Sequence, residues 1–215
     1  IEIRFDDGSI ERVVSDLSWK LTTEGPIRAN NDYDGEEYDA RREMSGWSKP
    51  GFDDSRWPSA QAVKAPEGRL AAQKIPPMRV TETLQPVKLS NPQPGVYVYD
   101  MGQNLVGWCR LSVRGPAATR VELRHAETLG PDGMLYVANL RSAQCKDTYV
   151  LKGEGPEVYE PRFTYHGFRY VELRGYPGVP DLTTLQGRVV HTDLKPAGAF
   201  QCSNDVVNRV YRNIV

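Results

Sequence analysis

Apolar side chains recur at every second position along most of this chain, the period of a half-buried strand rather than the 3.6-residue period of a helix. Ile1, Ile3 and Phe5 alternate with Glu2 and Arg4, Asp6-Asp7-Gly8-Ser9 turns the chain, and Ile10 to Val14 forms the second arm of a hairpin. Trp19 and Leu21 flank Lys20 as another short strand. Further strands are predicted at 96–99, 105–113, 121–127, 147–151 and 185–191. They are separated by Asp100–Asn104, Gly115-Pro116, Gly130–Gly133 and Lys152–Gly155, a spacing of turns that fits a meander or sandwich.

The densest aromatic run lies between Glu160 and Leu173. Phe163 and Tyr165 share one face of a strand, and Phe168 and Tyr170 fall on the other unless one extra residue resets the phase. A bulge at Gly167 would turn all four rings toward one core. A single sheet cannot bury four such rings, so the run predicts two packed antiparallel sheets.

Two stretches depart from the alternation. Residues 58–94, with Ile75-Pro76-Pro77 and Ser90-Asn91-Pro92-Gln93-Pro94, read as an extended connection between two bodies. After Pro196-Ala197-Gly198, Val206, Val207, Val210 and Tyr211 form one apolar stripe of a helix with Ser203 as its N-cap. The expected architecture is therefore all-β, with two β-sandwich (jelly-roll-like) units, the first incomplete, and a short C-terminal helix. Its divisions are 1–82, 83–195 and 196–215. A strand that starts at Ile1 without an initiator methionine, and a helix still running at Val215, read as truncation at both ends.

Composition narrows the partners. With 39% hydrophobic and 26% charged residues the chain is an ordinary folded one, and its 19 glycines and 16 prolines suit short strands and tight turns. Lys and Arg (27) nearly balance Asp and Glu (28), so neither nucleic acid nor an anionic membrane is an expected partner. No apolar run reaches the roughly 20 residues of a membrane span, and no leader is visible, which leaves cytoplasm and secretion both open. Cys109, Cys145 and Cys202 are too far apart for a zinc motif or a disulfide framework and read as buried apolar side chains, although one pair could be oxidised.

The polar stretch Ala29–Arg41 carries Asp32, Asp34, Glu36, Glu37 and Asp39 beside Asn30 and Asn31. Hard oxygen ligands of this kind suit calcium, and an adjacent amide and carboxylate can hold a sugar diol. The EF-hand spacing is missing, and a solvated turn is the simpler reading. Asn31 and Asp32 are the candidate carbohydrate-binding pair, and Asp32 and Asp34 the candidate metal ligands. Trp47 and Trp57, on a mostly irregular segment, are expected to cap a core. His125 and His166 sit in strand-like segments without a nucleophile elbow, so a triad of His166, Glu127 and a serine is rejected in favour of structural, hydrogen-bonded histidines. Paired carboxylates could be drawn from Asp100, Glu122, Glu127, Glu160 and Glu172, but alternation turns Glu122 and Glu172 outward as solvated charges. Asp100–Asn104 reads as a loop held by amide hydrogen bonds, with sugar or domain contact as the other option.

Four ordered stretches resemble the bacterial α-L-rhamnosidases: Asp100–Trp108 (DMGQNLVGW), Arg124–Glu127 (RHAE), Asn139–Ala143 (NLRSA) and Pro161–Tyr170 (PRFTYHGFRY). Upstream, Ser18-Trp19-Lys20, Gly25-Pro26-Ile27, Tyr33–Glu36, Tyr38–Arg41 and Gly46-Trp47 through Trp57 look like the later half of that family's N-terminal β-sandwich. The resemblance implies that 83–195 is the concanavalin-like accessory sandwich and that 196–215 opens an (α/α)₆ catalytic domain. It further implies that the acid and base of an inverting glycosidase lie outside this chain, so no catalytic residue is assigned. Some members carry a calcium-dependent rhamnose-binding module with an adjacent acid and amide, and Asn31-Asp32 is compatible in type. The alternative is a self-contained calcium-dependent sugar-binding module. The implied partners are rhamnose-containing glycans and the chain's own catalytic domain.

Overall fold

A computed structural model describes residues 1–65, 67–69 and 71–214. Its strands are β1 (Glu2–Arg4), β2 (Ile10–Arg12), β3 (Ile27–Asn31), β4 (Gly35–Asp39), β5 (Met78–Leu84) and β6 (Lys88–Gln93), then β7 (Val96–Arg114), β8 (Arg120–Ala126), β9 (Lys146–Val150), β10 (Pro156–Tyr159), β11 (His166–Arg174) and β12 (Leu185–Thr192). One helix, α1 (Asp205–Ile214), follows. The hairpin β1–β2 stands as a two-stranded sheet with every residue exposed. The other ten strands form one sheet in the order β3-β4-β9-β8-β11-β7-β12-β5, with β6 and β10 also paired to β7.

The all-β, sandwich-like fold is thus realised by a single sheet that curls into a half-barrel around its own core. The 19-residue β7 makes this possible. Its first residues pair with β6 and β11 and its last with β10 and β12, so one strand runs through both walls of the fold. Alternation along β7 and β8 turns Tyr99, Cys109, Leu111, Val113, Val121 and Leu123 into the core. Phe168, Val171 and Leu173 of β11 meet them there.

Gly107 sits where β7 changes partners, opposite His166 on one edge and Val189 on the other. A β-carbon there would overlap the Arg188 carbonyl. We expect Gly107→Ala to cost about 3 kcal/mol, the scale of strain placed inside a sheet, as measured by chemical denaturation.

Several expectations are corrected. Asp100–Asn104 is not a loop between two strands but lies inside β7, where the register with β11 jumps from Phe168↔Leu105 to Tyr170↔Asp100. The phase reset therefore falls at Arg169, whose guanidinium pairs with both Asp100 oxygens at 2.8 and 2.9 Å, and not at Gly167. Phe163 and Tyr165 precede the strand and are 71% and 46% exposed, so of the four rings only Phe168 is fully buried. Not all pairing is antiparallel: β4 joins β9 in parallel, which brings the β3–β4 hairpin into the main sheet. The helix is capped by Asn204, whose Oδ1 accepts from the Val206 and Val207 N–H groups, and not by Ser203. Its apolar stripe Val206, Val207 and Val210 is exposed.

Candidate functional site

The acidic turn is built by β3 and β4. Asn31 Oδ1 accepts from the N–H groups of Tyr33 (2.9 Å) and Asp34 (2.7 Å), and Asn31 Nδ2 donates to Asp34 Oδ2 at 3.2 Å. Asp34 Oδ1 accepts from the Gln144 N–H at 3.1 Å, tying the turn to the segment before β9. Asn31 and Asp34 therefore hold the turn with their side-chain oxygens, the local hydrogen bonding that makes Asx residues turn formers. Asp32 is exposed at the tip.

A second feature lies at the other end of β4. A cleft of about 970 Å³ is lined by Tyr38, Arg41, Trp47, Trp57, Arg162 and Glu43, among others. Trp57 is half-buried against Phe52, with ring centroids 5.5 Å apart. Trp47 does not cap a core but stands 63% exposed. The two carboxylates in the cleft, Glu43 and Glu154, both face Lys152 at 2.9 and 4.0 Å. An indole with an open face beside cations and carboxylates is suited to a polyhydroxylated ring, which offers C–H groups to the aromatic and hydroxyls to the charges.

The third feature is buried. On β8 and β9 the inward positions include His125 and Asp147, and the start of β11 adds His166; all three are at most 2% exposed. His166 Nε2 lies 3.1 Å from both Asp147 oxygens. The His125 ring stacks on His166 with centroids 4.3 Å apart and meets Phe168 edge-on. Its Nδ1 faces the Cys145 carbonyl at 3.2 Å.

Glu36 of β4 joins this interior. Its N–H donates to Asp147 Oδ1 at 3.0 Å, and its carboxylate accepts from Tyr159 Oη, Asn30 Nδ2 and the Arg162 N–H. Gly35 permits the approach, because a β-carbon there would strike the Lys146 carbonyl and Asp147 Oδ1.

Burial disfavours every charge here, and specific partners decide the outcome. Burial alone would lower His166, but the hydrogen bond to Asp147, with the neighbouring Cys145 side chain, raises it to about 9. His125, pushed by burial and then by the His166 charge, falls to about 3. Burial would lift Asp147, yet the His166 hydrogen bond and both imidazoles hold it below the usual carboxylate range. For Glu36 burial wins over its donors and its pKa is raised.

The structural reading of both histidines holds, but the partner of His166 is Asp147, not Glu127. Glu127 instead accepts from Asn104 Nδ2 at 2.8 Å, on the surface. The other carboxylates weighed as an acid–base pair are engaged as well: Asp100 with Arg169, Glu122 with Lys146 and Arg120, and Glu160 with the Trp108 indole and Arg188. Glu172 is corrected from a solvated charge to a buried one, 5% exposed and paired with Arg174. Asp147 escaped the sequence reading, although the alternation Asp147/Tyr149 put a carboxylate on the apolar face of β9. The cleft had no such signal, since its walls come from stretches far apart in the chain.

Residues 1–82 match the Alpha-L-rhamnosidase N-terminal domain family, and residues 90–191 match the bacterial alpha-L-rhamnosidase concanavalin-like domain family. The chain is 47% identical over 216 residues to an alpha-L-rhamnosidase of Streptomyces avermitilis, which covers 100% of this chain and 21% of that protein. Among solved structures, the alpha-L-rhamnosidase from Dictyoglumus thermophilum superposes with a TM-score of 0.93 at 49% identity over 99% of this chain and 24% of its own. The Streptomyces avermitilis alpha-L-rhamnosidase complexed with L-rhamnose does so with a TM-score of 0.91 at 47% identity, over 99% of this chain and 21% of its own. The chain spans 21% to 24% of the length of the curated relatives it matches.

Proposed function

This chain belongs to the bacterial α-L-rhamnosidases through their N-terminal and concanavalin-like domains, and from that premise we propose that it is the non-catalytic accessory region of an enzyme releasing terminal α-L-rhamnose. Its role is to position a catalytic domain carried elsewhere in the same polypeptide. The observation that carries this reading is the match of two β-domain families to a stretch amounting to 21% of a relative's length. Support comes from the carboxylates, since each of those weighed as acid or base is tied up in a hydrogen bond or ion pair.

The exposed indole of Trp47 favours a second role, contact with a rhamnose-containing glycan in the cleft. The Asn31–Asp34 turn, with calcium, is the competing location.

The purified 215-residue chain is expected to show no turnover of an aryl α-L-rhamnoside. Turnover that disappears on mutating one of its carboxylates would overturn the accessory reading. Calorimetry with L-rhamnose, with and without calcium, then locates any sugar contact. Heat lost in Trp47→Ala and kept in Asp32→Ala is the expected pattern. The reverse pattern assigns the contact to the turn, and no heat from the unmutated chain removes sugar binding and leaves the scaffold alone.

A further inference from the structure

The cleft beside Trp47 is unequal in charge. Arg41, Lys49, Lys152 and Arg162 line it against only two carboxylates, Glu43 and Glu154. Both carboxylates are already engaged, since Lys152 lies 2.9 Å from Glu43 and 4.0 Å from Glu154, and Glu43 also accepts from the Tyr38 hydroxyl at 3.0 Å. Arg41 is engaged as well, its guanidinium donating to both Asp39 oxygens at 2.8 Å. Among the described residues no carboxylate lies within ion-pairing distance of Arg162 or Lys49. The cleft therefore carries two cations with unfilled donors beside the open indole of Trp47.

The backbone holds these groups in place. The Arg162 N–H donates to the buried Glu36 carboxylate at 3.0 Å, and the buried Thr164 donates its hydroxyl to the Asn31 carbonyl at 3.1 Å, so the segment that carries the guanidinium is fastened at two points. Trp47 and Lys49 come from one tight stretch, in which the Trp47 N–H donates to the Met44 carbonyl at 3.2 Å and the Lys49 N–H to the Gly46 carbonyl at 2.8 Å. An aromatic platform and two cations are thus set at fixed places along the cleft, as a binding site requires.

We propose that this cleft takes an acidic sugar residue, a uronic acid, with its ring on Trp47 and its carboxylate on Arg162 and Lys49. The inference rests on the reading of the cleft as a glycan contact and narrows the glycan to an anionic one. A guanidinium can donate to both oxygens of a carboxylate at once, an ammonium adds a compact charge, and the C–H face of a pyranose covers an indole. A neutral sugar would leave both cations unpaired, and a simple anion would leave the indole bare. Only a ligand with both parts uses the whole site. The chain has a net charge of -1 and no general attraction for anions, so the preference is local to the cleft.

The test titrates the full chain with methyl α-D-glucuronoside and with methyl α-D-glucoside, which share a ring and differ in a carboxylate against a hydroxymethyl group, and follows heat and tryptophan fluorescence. At low salt the glucuronoside is expected to bind at least about fivefold tighter, and the preference should shrink in about 0.5 M sodium chloride. Trp47→Ala should weaken glucuronoside binding, and Arg162→Gln should bring it down to the level of the glucoside. Arg209→Gln, at an exposed arginine of α1, should leave the ratio unchanged. The proposal fails if the unmutated chain does not prefer the glucuronoside, if Arg162→Gln keeps the preference, or if sodium acetate competes as well as the glucuronoside does. Equal binding of both glycosides and of L-rhamnose would overturn this inference and leave the glycan contact standing, whereas a bound glucuronoside without bound L-rhamnose would uphold it and remove the rhamnose contact. No binding of any of the three removes both. Should Arg162→Gln not fold, the ratio and its salt dependence in the unmutated chain decide alone.

Discussion

Asp147→Ala is expected to destabilise the chain by about 3–5 kcal/mol, the cost of removing one member of a buried, hydrogen-bonded charge pair. Two groups lose their partner together. The His166 imidazole, held near a pKa of 9 by this carboxylate, would be left as an uncompensated charge or forced to give up its proton. The Glu36 N–H would lose its acceptor 3.0 Å away. Domains have only about 5–15 kcal/mol of stability in all, so the change should be evident as a large fall in denaturation midpoint. Asp147→Asn keeps the volume and one oxygen for the Glu36 N–H, and should recover part of the loss. An asparagine that lost almost nothing would mean that packing, and not the charged pair, is what Asp147 provides. A loss under about 1 kcal/mol for alanine would show that the cluster is not a stabilising centre.

The strands were legible wherever alternation was strong. Val121, Leu123 and Tyr149 fell on the core side because a period of two leaves no other choice once the apolar face is known. The aromatic run misled because ring count was taken as burial: Phe163 and Tyr165 lie before the strand begins, and a side chain off the ladder has no enforced face. The bulge was legible as a need but not as a place. Glycine marked the permissive position, whereas the Asp100–Arg169 pair marked the one used, and such long-range pairing leaves no local trace. For the same reason the parallel contact of β4 with β9 was hidden, since it joins residues more than a hundred positions apart. The Asn31–Asp34 turn was read correctly as locally hydrogen-bonded because its side-chain hydrogen bonds, apart from the one to Gln144, lie within four residues.

That parallel contact makes Glu36 the second position where a single change should have a large effect. Its carboxylate receives hydrogen bonds from three donors, the Tyr159 hydroxyl at 3.1 Å, the Asn30 amide at 2.9 Å and the Arg162 N–H at 3.0 Å. These come from β3, β10 and the segment leading into β11, so one side chain fastens the β3–β4 hairpin to the main body. Glu36→Ala strands all three donors in a site only 1% exposed. At about 1–3 kcal/mol for each buried donor that finds no water, a total near 3–5 kcal/mol is expected. Glu36→Gln separates the causes. It preserves shape, its carbonyl oxygen can still accept from the Asn30 amide and the Arg162 N–H, and its NH₂ can donate to the Tyr159 hydroxyl oxygen, so it should lose clearly less than alanine. Hydrogen exchange locates the damage: amide protection in β4 should drop first, while Leu111 and Leu173 in the core strands keep theirs, because the hairpin can detach without opening the half-barrel. Uniform loss of protection across β4, β7 and β11 would instead mean that the hairpin and the barrel unfold as one unit, and that Glu36 supports the whole fold instead of a single joint.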